Sequence, residues 1–191
     1  MRKTLLMISV VFSVLISACT TSPIAQSTTT VTTRTADGIS IFGETYFEQL
    51  GPGDPLILLF HQGGSNGRGE YSPIVSALNR RGYRAIAWDL RSGGGTYGAE
   101  NRTVENLPEH ANTSYCDARA DLQAALDFVI DDEIADTVIA WGSSYSAALV
   151  FELASNNPDH VSGVIAFSPA AGGPLRGPKW RGLLQRNKKA S

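Results

Sequence analysis

The sequence predicts an α/β domain built on a mostly parallel sheet with flanking helices. Three observations predict it. Apolar stretches of strand length alternate with segments of helical period through residues 38–169, the run "PLILLF" at 55–60 is apolar throughout, and no internal repeat breaks the order. Alternation of this kind implies strand–helix–strand units, and an uninterrupted apolar strand is one covered on both faces. The 191 residues are 42% hydrophobic and 18% charged with a formal net charge of -2. That is the composition of one globular domain, neither disordered nor strongly basic, and no nucleic-acid partner is expected of it.

The elements follow in chain order. "ISIFGETYF" alternates apolar and polar residues around Gly43 and predicts an early strand or hairpin. After the strand at 55–60, Ser72 and Pro73 form a helix start, Ile74, Val75 and Leu78 share a face, and Gly82 supplies the stop. "YRAIAWDL" is the next strand, ending near Asp89. Residues 117–130 place Leu122, Ala125, Leu126 and Val129 at helical spacing. "DTVIAW" predicts a third buried strand, residues 145–156 a helix stopped before Pro158, and "VSGVIAFS" a further strand.

The two ends differ from this middle. Arg2 and Lys3 precede an apolar run over 5–16, followed by Ser17, Ala18 and Cys19. This is a secretory signal, too short for a stable membrane span. Its ending "ISAC" resembles a bacterial lipobox, which implies that residues 1–18 are removed and that Cys19 becomes a lipid-modified first residue at the cell envelope. The bland alternative is an ordinary signal with an incidental cysteine. Cys116 then has no disulfide partner and reads as a small half-buried residue at the start of a helix. Residues 19–37, rich in Thr and Ser, are expected to be a tether between lipid and domain. At the other end, residues 170–191 form a Gly- and Pro-containing tail; 172–191 hold six of the sixteen Lys and Arg residues and no acid.

The joint between the third buried strand and its helix reads "GSSYS". A nucleophile on a sharp strand-to-helix turn needs small residues two before and two after it, because backbone atoms crowd those places. Ser144 satisfies this with Gly142 and Ser146. Ser143 fails on Trp141 and Tyr145, and Ser146 already lies in the first helical turn. The alternative is a Ser-rich helix cap. Attack on an acyl carbon creates an oxyanion that needs two preorganised backbone donors, one from the residue after the nucleophile and one from the loop after an earlier strand. The candidates are the N–H groups of Tyr145 and of Gln62 in "FHQGGSN", where Gly63 and Gly64 let the backbone approach a ligand. His61 reads as a structural loop residue rather than a base.

The segments "LILLFHQGGSNGRGEYSPIVSALNRRGYRAIAWDLRSGG" and "VIAWGSSYSAALVFELASNNPDHVSGVIAFSP" resemble the α/β-hydrolases, most of all their dienelactone-hydrolase-like and serine-aminopeptidase-like branches. The resemblance covers roughly residues 38–169. It implies an acyl-enzyme on Ser144, hydrolysis of a small-molecule ester or related acyl substrate, and no metal or cofactor. It also implies that Arg91, in "LRSGG", either binds a substrate carboxylate or forms a surface ion pair.

In that family a carboxylate and then a histidine follow the serine on later strands. Here the only later histidine is His160, which with Asp159 belongs at the opposite end of the sheet, and His110 lies in a long loop. The C-terminal strands of the fold are expected to be missing after Pro169, through a frameshift or early stop ahead of two other accounts, a divergent binding protein and a basic tail for anionic lipid or nucleic acid. Two functional readings remain: a lipid-anchored serine hydrolase impaired by loss of its triad partners, and a non-catalytic periplasmic binding module that keeps the half-fold.

Overall fold

A computed structural model describes residues 28–47 and 50–170. Six strands form one sheet in the order β1-β2-β4-β3-β5-β6. The strands are β1 (Thr28–Arg34), β2 (Ser40–Tyr46), β3 (Leu56–Phe60), β4 (Arg84–Asp89), β5 (Val138–Ser143) and β6 (Val161–Phe167). β4, β3, β5 and β6 run parallel, and β1 and β2 add an antiparallel edge. The sheet is mixed but mostly parallel, as expected.

β3 shows why the apolar run was informative. Leu56, Leu58 and Phe60 face the helices α3 (Arg119–Asp131) and α4 (Tyr145–Asn156), while Ile57 and Leu59 face α1 (Gly67–Asn79). All five are buried, so the strand has no solvent face and needs no polar alternation. Ile86 and Trp88 of β4 join the α3–α4 core, and Ala85 and Ala87 join the one under α1, where Tyr71 and Val75 pack. At roughly 1.5–3 kcal/mol per buried large side chain, these two layers supply the main drive to fold.

Two expectations need correction. Part of the expected tether, Thr28–Arg34, is strand β1, paired with β2 from Thr28↔Tyr46 to Arg34↔Ser40. Its threonines are β-branched and suit a pleated edge strand, which outweighs their polarity. The first helix begins at Gly67 rather than Ser72, so Pro73 sits inside it. Its cap is Asn66, whose Oδ1 accepts from Gly69 N at 2.7 Å while Nδ2 donates to the carbonyls of Gly94, Thr96 and Ala99. Those bonds come from a distant loop and override the poor helix propensity of "GRG". A short helix α2 (Arg102–Glu105) closes that loop.

No helix among the described residues is long and apolar enough to cross a membrane. Cys19, the lipobox and the basic tail beyond residue 170 lie outside the described residues.

Candidate active site

The C-terminal ends of parallel strands are where open α/β sheets bind ligands, and three loops converge there, after β3, β4 and β5. β5 turns into α4 at Ser144, whose φ of 57° and ψ of -115° lie in a region that side chains other than glycine rarely occupy. The surroundings hold this conformation. Ser144 N donates to Phe167 O at 2.9 Å, and Ala170 N donates to Ser144 O at 3.0 Å, so β6 and the segment just after it grip both peptide units of Ser144. A Cβ on Gly142 would meet the carbonyl carbon and oxygen of Ser146 at 2.5 Å, which is why glycine stands there.

Ser146 is fully buried and works as a brace. Its hydroxyl donates to Phe60 O, 2.7 Å away, and Ser143 O lies at 2.9 Å. It accepts from Ser143 N at 2.8 Å. The serine that serves as the second small residue therefore ties the elbow to β3. Ser144 itself is half-buried, and among the described residues nothing hydrogen-bonds its Oγ.

Gln62 follows β3 directly, and its carbonyl is held by Ser65 N at 3.2 Å and by His61 Nδ1 at 2.7 Å. Its N–H donates to Glu70 Oε2 at 3.1 Å, and its side-chain amide donates to the Tyr97 hydroxyl at 2.6 Å. Tyr145 occupies the first position of α4, where a backbone N–H has no partner within the helix. Its buried ring stacks on Tyr115 with centroids 4.4 Å apart. The Tyr115 hydroxyl in turn fills the space beside Gly63 where a side chain would stand.

His61 is completely buried. Its Nε2 accepts from Leu90 N at 2.8 Å, so Nδ1 carries the proton toward Gln62 O and the ring is neutral. Burial holds its pKa below the usual histidine value. Both nitrogens are thus committed to the loops, in keeping with a structural role. His160 is exposed at the start of β6, the end of that strand away from the elbow, and Asp159 beside it shares this position. His110 is exposed in the loop that leads to Tyr115.

Arg91 is neither a surface residue nor open to substrate. Its guanidinium is fully buried, 2.6 Å from Asp37 Oδ2 and 2.7 Å from Asp121 Oδ1. Bonds from Arg91 hold the Asp37 carboxyl well below the usual range, whereas burial pushes Asp121 up to about 6 despite the same partner. Cys116 is half-buried just before α3, as expected.

Glu70, Tyr97 and Tyr115 were missed by the sequence reading. Glu70 escaped because the helix start was set five residues too late, which left it in a loop rather than on the first turn beside Gln62. Tyr97 has a φ of 68° and nothing in its neighbours signals that it reaches back to Gln62.

A family model described as serine aminopeptidase, S33, matches residues 52–190. Among solved structures, an esterase of Pyrococcus furiosus is similar with a TM-score of 0.60 and 19% identity, over 85% of this chain and 59% of that one. Brefeldin A esterase, a bacterial homologue of human hormone sensitive lipase, gives 0.60 and 18% over 92% of this chain and 47% of the other. A carboxyl esterase from Bacillus coagulans gives 0.60 and 17%, with coverage of 85% and 50%. At these identities the likeness shows a shared fold, and the chain spans less than two thirds of the length of each of these structures. No curated protein matches the chain.

Proposed function

Because the chain belongs to the serine aminopeptidase S33 family of α/β-hydrolases, we propose that it is an esterase-like serine hydrolase whose nucleophile is Ser144. The observation that carries this reading is the elbow: a serine held at positive φ at the end of β5, with glycine two residues before it where no Cβ fits. Strain of this kind, of order 1–3 kcal/mol, persists where the surrounding structure fixes it and clusters at reactive residues.

The chemistry is acyl transfer. Ser144 Oγ bonds to the acyl carbon of a small ester, the carbonyl electrons move onto its oxygen, and the N–H groups of Gln62 and Tyr145 receive that charge. Collapse breaks the ester C–O bond, and the alcohol leaves with the serine proton. Water then repeats the sequence on the acyl-enzyme. Among the described residues no base stands beside Ser144, so acylation and turnover by these residues rely on the oxyanion donors and on binding. Those contributions alone are worth about 10³–10⁴ over water.

A fluorophosphonate probe on the full chain tests the assignment. Slow labelling is expected, lost in Ser144→Ala and retained in Ser143→Ala, with p-nitrophenyl ester turnover close to background. Labelling that survives Ser144→Ala would overturn it, and turnover of about 1–10³ per second would show that a base is in place.

The same proposal places the protein at a bacterial cell envelope, anchored through an acylated Cys19, with its domain facing the periplasm or exterior. The charged start, the short apolar run and "ISAC" support it. In detergent phase partition, the parent protein is expected in the detergent phase and Cys19→Ser in the aqueous phase. Identical partitioning would count against the anchor.

A further inference from the structure

β3 leads to β4 on one side of it and β5 leads to β6 on the other, so the strand order reverses between β3 and β5. Loops part at such a reversal, and the crevice they leave is where open α/β sheets take a ligand. The hydrogen bonds show the parting. The last paired residues of β3 and β5 are Phe60 and Gly142. Beyond them the loop after β3 leans on the loop after β4: Gly94 N donates to Ser65 O at 2.7 Å, and Gly64 N and Thr96 N donate to Ser92 O and Gly64 O, each at 3.2 Å. The elbow leans the other way, onto Phe167 and Ala170. Among the described residues no backbone hydrogen bond joins 62–65 to 144–146.

One side chain spans this gap. The Tyr115 ring lies on the Tyr145 ring with the planes 13° apart. On its other side, a Cβ on Gly63 would meet the Tyr115 hydroxyl and, at 2.9 Å, its Cζ. Tyr115 therefore touches both walls of the crevice, one at the residue that follows Ser144 and one at Gly63. Its base is fixed. The Ser92 hydroxyl lies 2.8 Å from Thr113 O and 3.0 Å from Ser114 O, and Asp117 N donates to Ser114 O at 3.0 Å. Its tip is held by contact alone: the residue is half-buried, and among the described residues nothing hydrogen-bonds its hydroxyl.

We propose that Tyr115 plugs this crevice and is a specificity-determining residue, holding the group that can lie there to a short one. The inference rests on the reading of Ser144 as nucleophile. An acyl carbon bonded to Ser144 Oγ starts at the elbow wall, and a chain that runs on from it into the crevice meets the Tyr115 ring. One methylene too many in a confined pocket changes a rate about tenfold or more.

Two measurements on the full chain test this, with Tyr115→Ala and Tyr115→Leu beside the parent. The first is the ratio of labelling rates at Ser144 for two fluorophosphonates that differ only in the alkyl group on phosphorus, methyl or hexyl. The parent is expected to favour the methyl probe, and Tyr115→Ala to move the ratio toward hexyl by about tenfold or more. Tyr115→Leu, which keeps an apolar cover on Tyr145, should fall between them. A loosened elbow slows both probes alike and leaves the ratio where it was, so an unchanged ratio in both variants would overturn the proposal.

The second is a titration with p-cresol, the side chain that Tyr115→Ala removes, followed by the amide resonances of Gly63 and Tyr145. A cavity left by a deleted ring binds a small aromatic molecule. Both resonances should shift saturably in Tyr115→Ala and stay in place in the parent. No response in the variant, or equal responses in the two proteins, would overturn the proposal. This readout needs no reactive serine. Saturable shifts in Tyr115→Ala without labelling of any variant would sink the assignment of Ser144 and leave Tyr115 as the plug of the crevice.

Discussion

Gly142→Ala is expected to destabilise the domain by more than about 3 kcal/mol and to abolish labelling of Ser144. The added methyl carbon meets Ser146 C and O at 2.5 Å and Ala147 N at 2.6 Å, and all three are backbone atoms of α4. A flexible side chain could step aside, but a helix backbone cannot do so without moving the whole helix. Overpacking costs typically about 1–3 kcal/mol and more where the obstacle is rigid. α4 is also tied on both sides, to β3 through Ser146 and to β6 through the peptide units of Ser144. At this chain length the loss corresponds to a fall in Tm of about 10 °C. Thermal unfolding followed by circular dichroism checks it, and a Tm equal to that of the parent would mean that the elbow is not built as described.

Arg91→Ala is expected to cost about 3–5 kcal/mol, because it leaves the buried Asp121 carboxyl with no counter-ion. The double variant Arg91→Met with Asp121→Leu removes both charges and should be markedly more stable than Arg91→Ala, since replacing a buried pair by apolar groups is often neutral. Denaturant midpoints of the two variants decide the matter. Equal losses would show that the shape of the guanidinium, rather than its charge, holds the loop after β4 against α3. Either result separates this residue from substrate binding, the alternative its place in "LRSGG" first suggested.

The parts legible in the sequence are those governed by local rules. β3 was readable because two-sided burial removes every polar residue from a strand, and the elbow was readable because the steric demand on Gly142 and Ser146 lies within two residues of Ser144. The partners of Arg91 are 30 and 54 residues away, and no spacing rule reaches that far. β1 hid behind a threonine-rich composition that serves equally for a linker and for an edge strand. The start of α1 was hidden because its cap, Asn66, is held in place by a loop some 30 residues downstream. That single displacement is what concealed Glu70.

The double grip on Ser144 has a consequence in time. Its N–H is held by Phe167 and its carbonyl by Ala170, and the brace at Ser146 closes on Phe60 across 86 residues. Parallel pairing over such separations is slow, because chain entropy is lost before the contact is gained. The strained turn therefore cannot be the seed of folding; it is locked only after β3, β5 and β6 have found their register. A chain still emerging during synthesis carries Ser144 as an ordinary flexible serine, and its strained shape arrives last, once β6 has joined the sheet and Ala170 has met the Ser144 carbonyl.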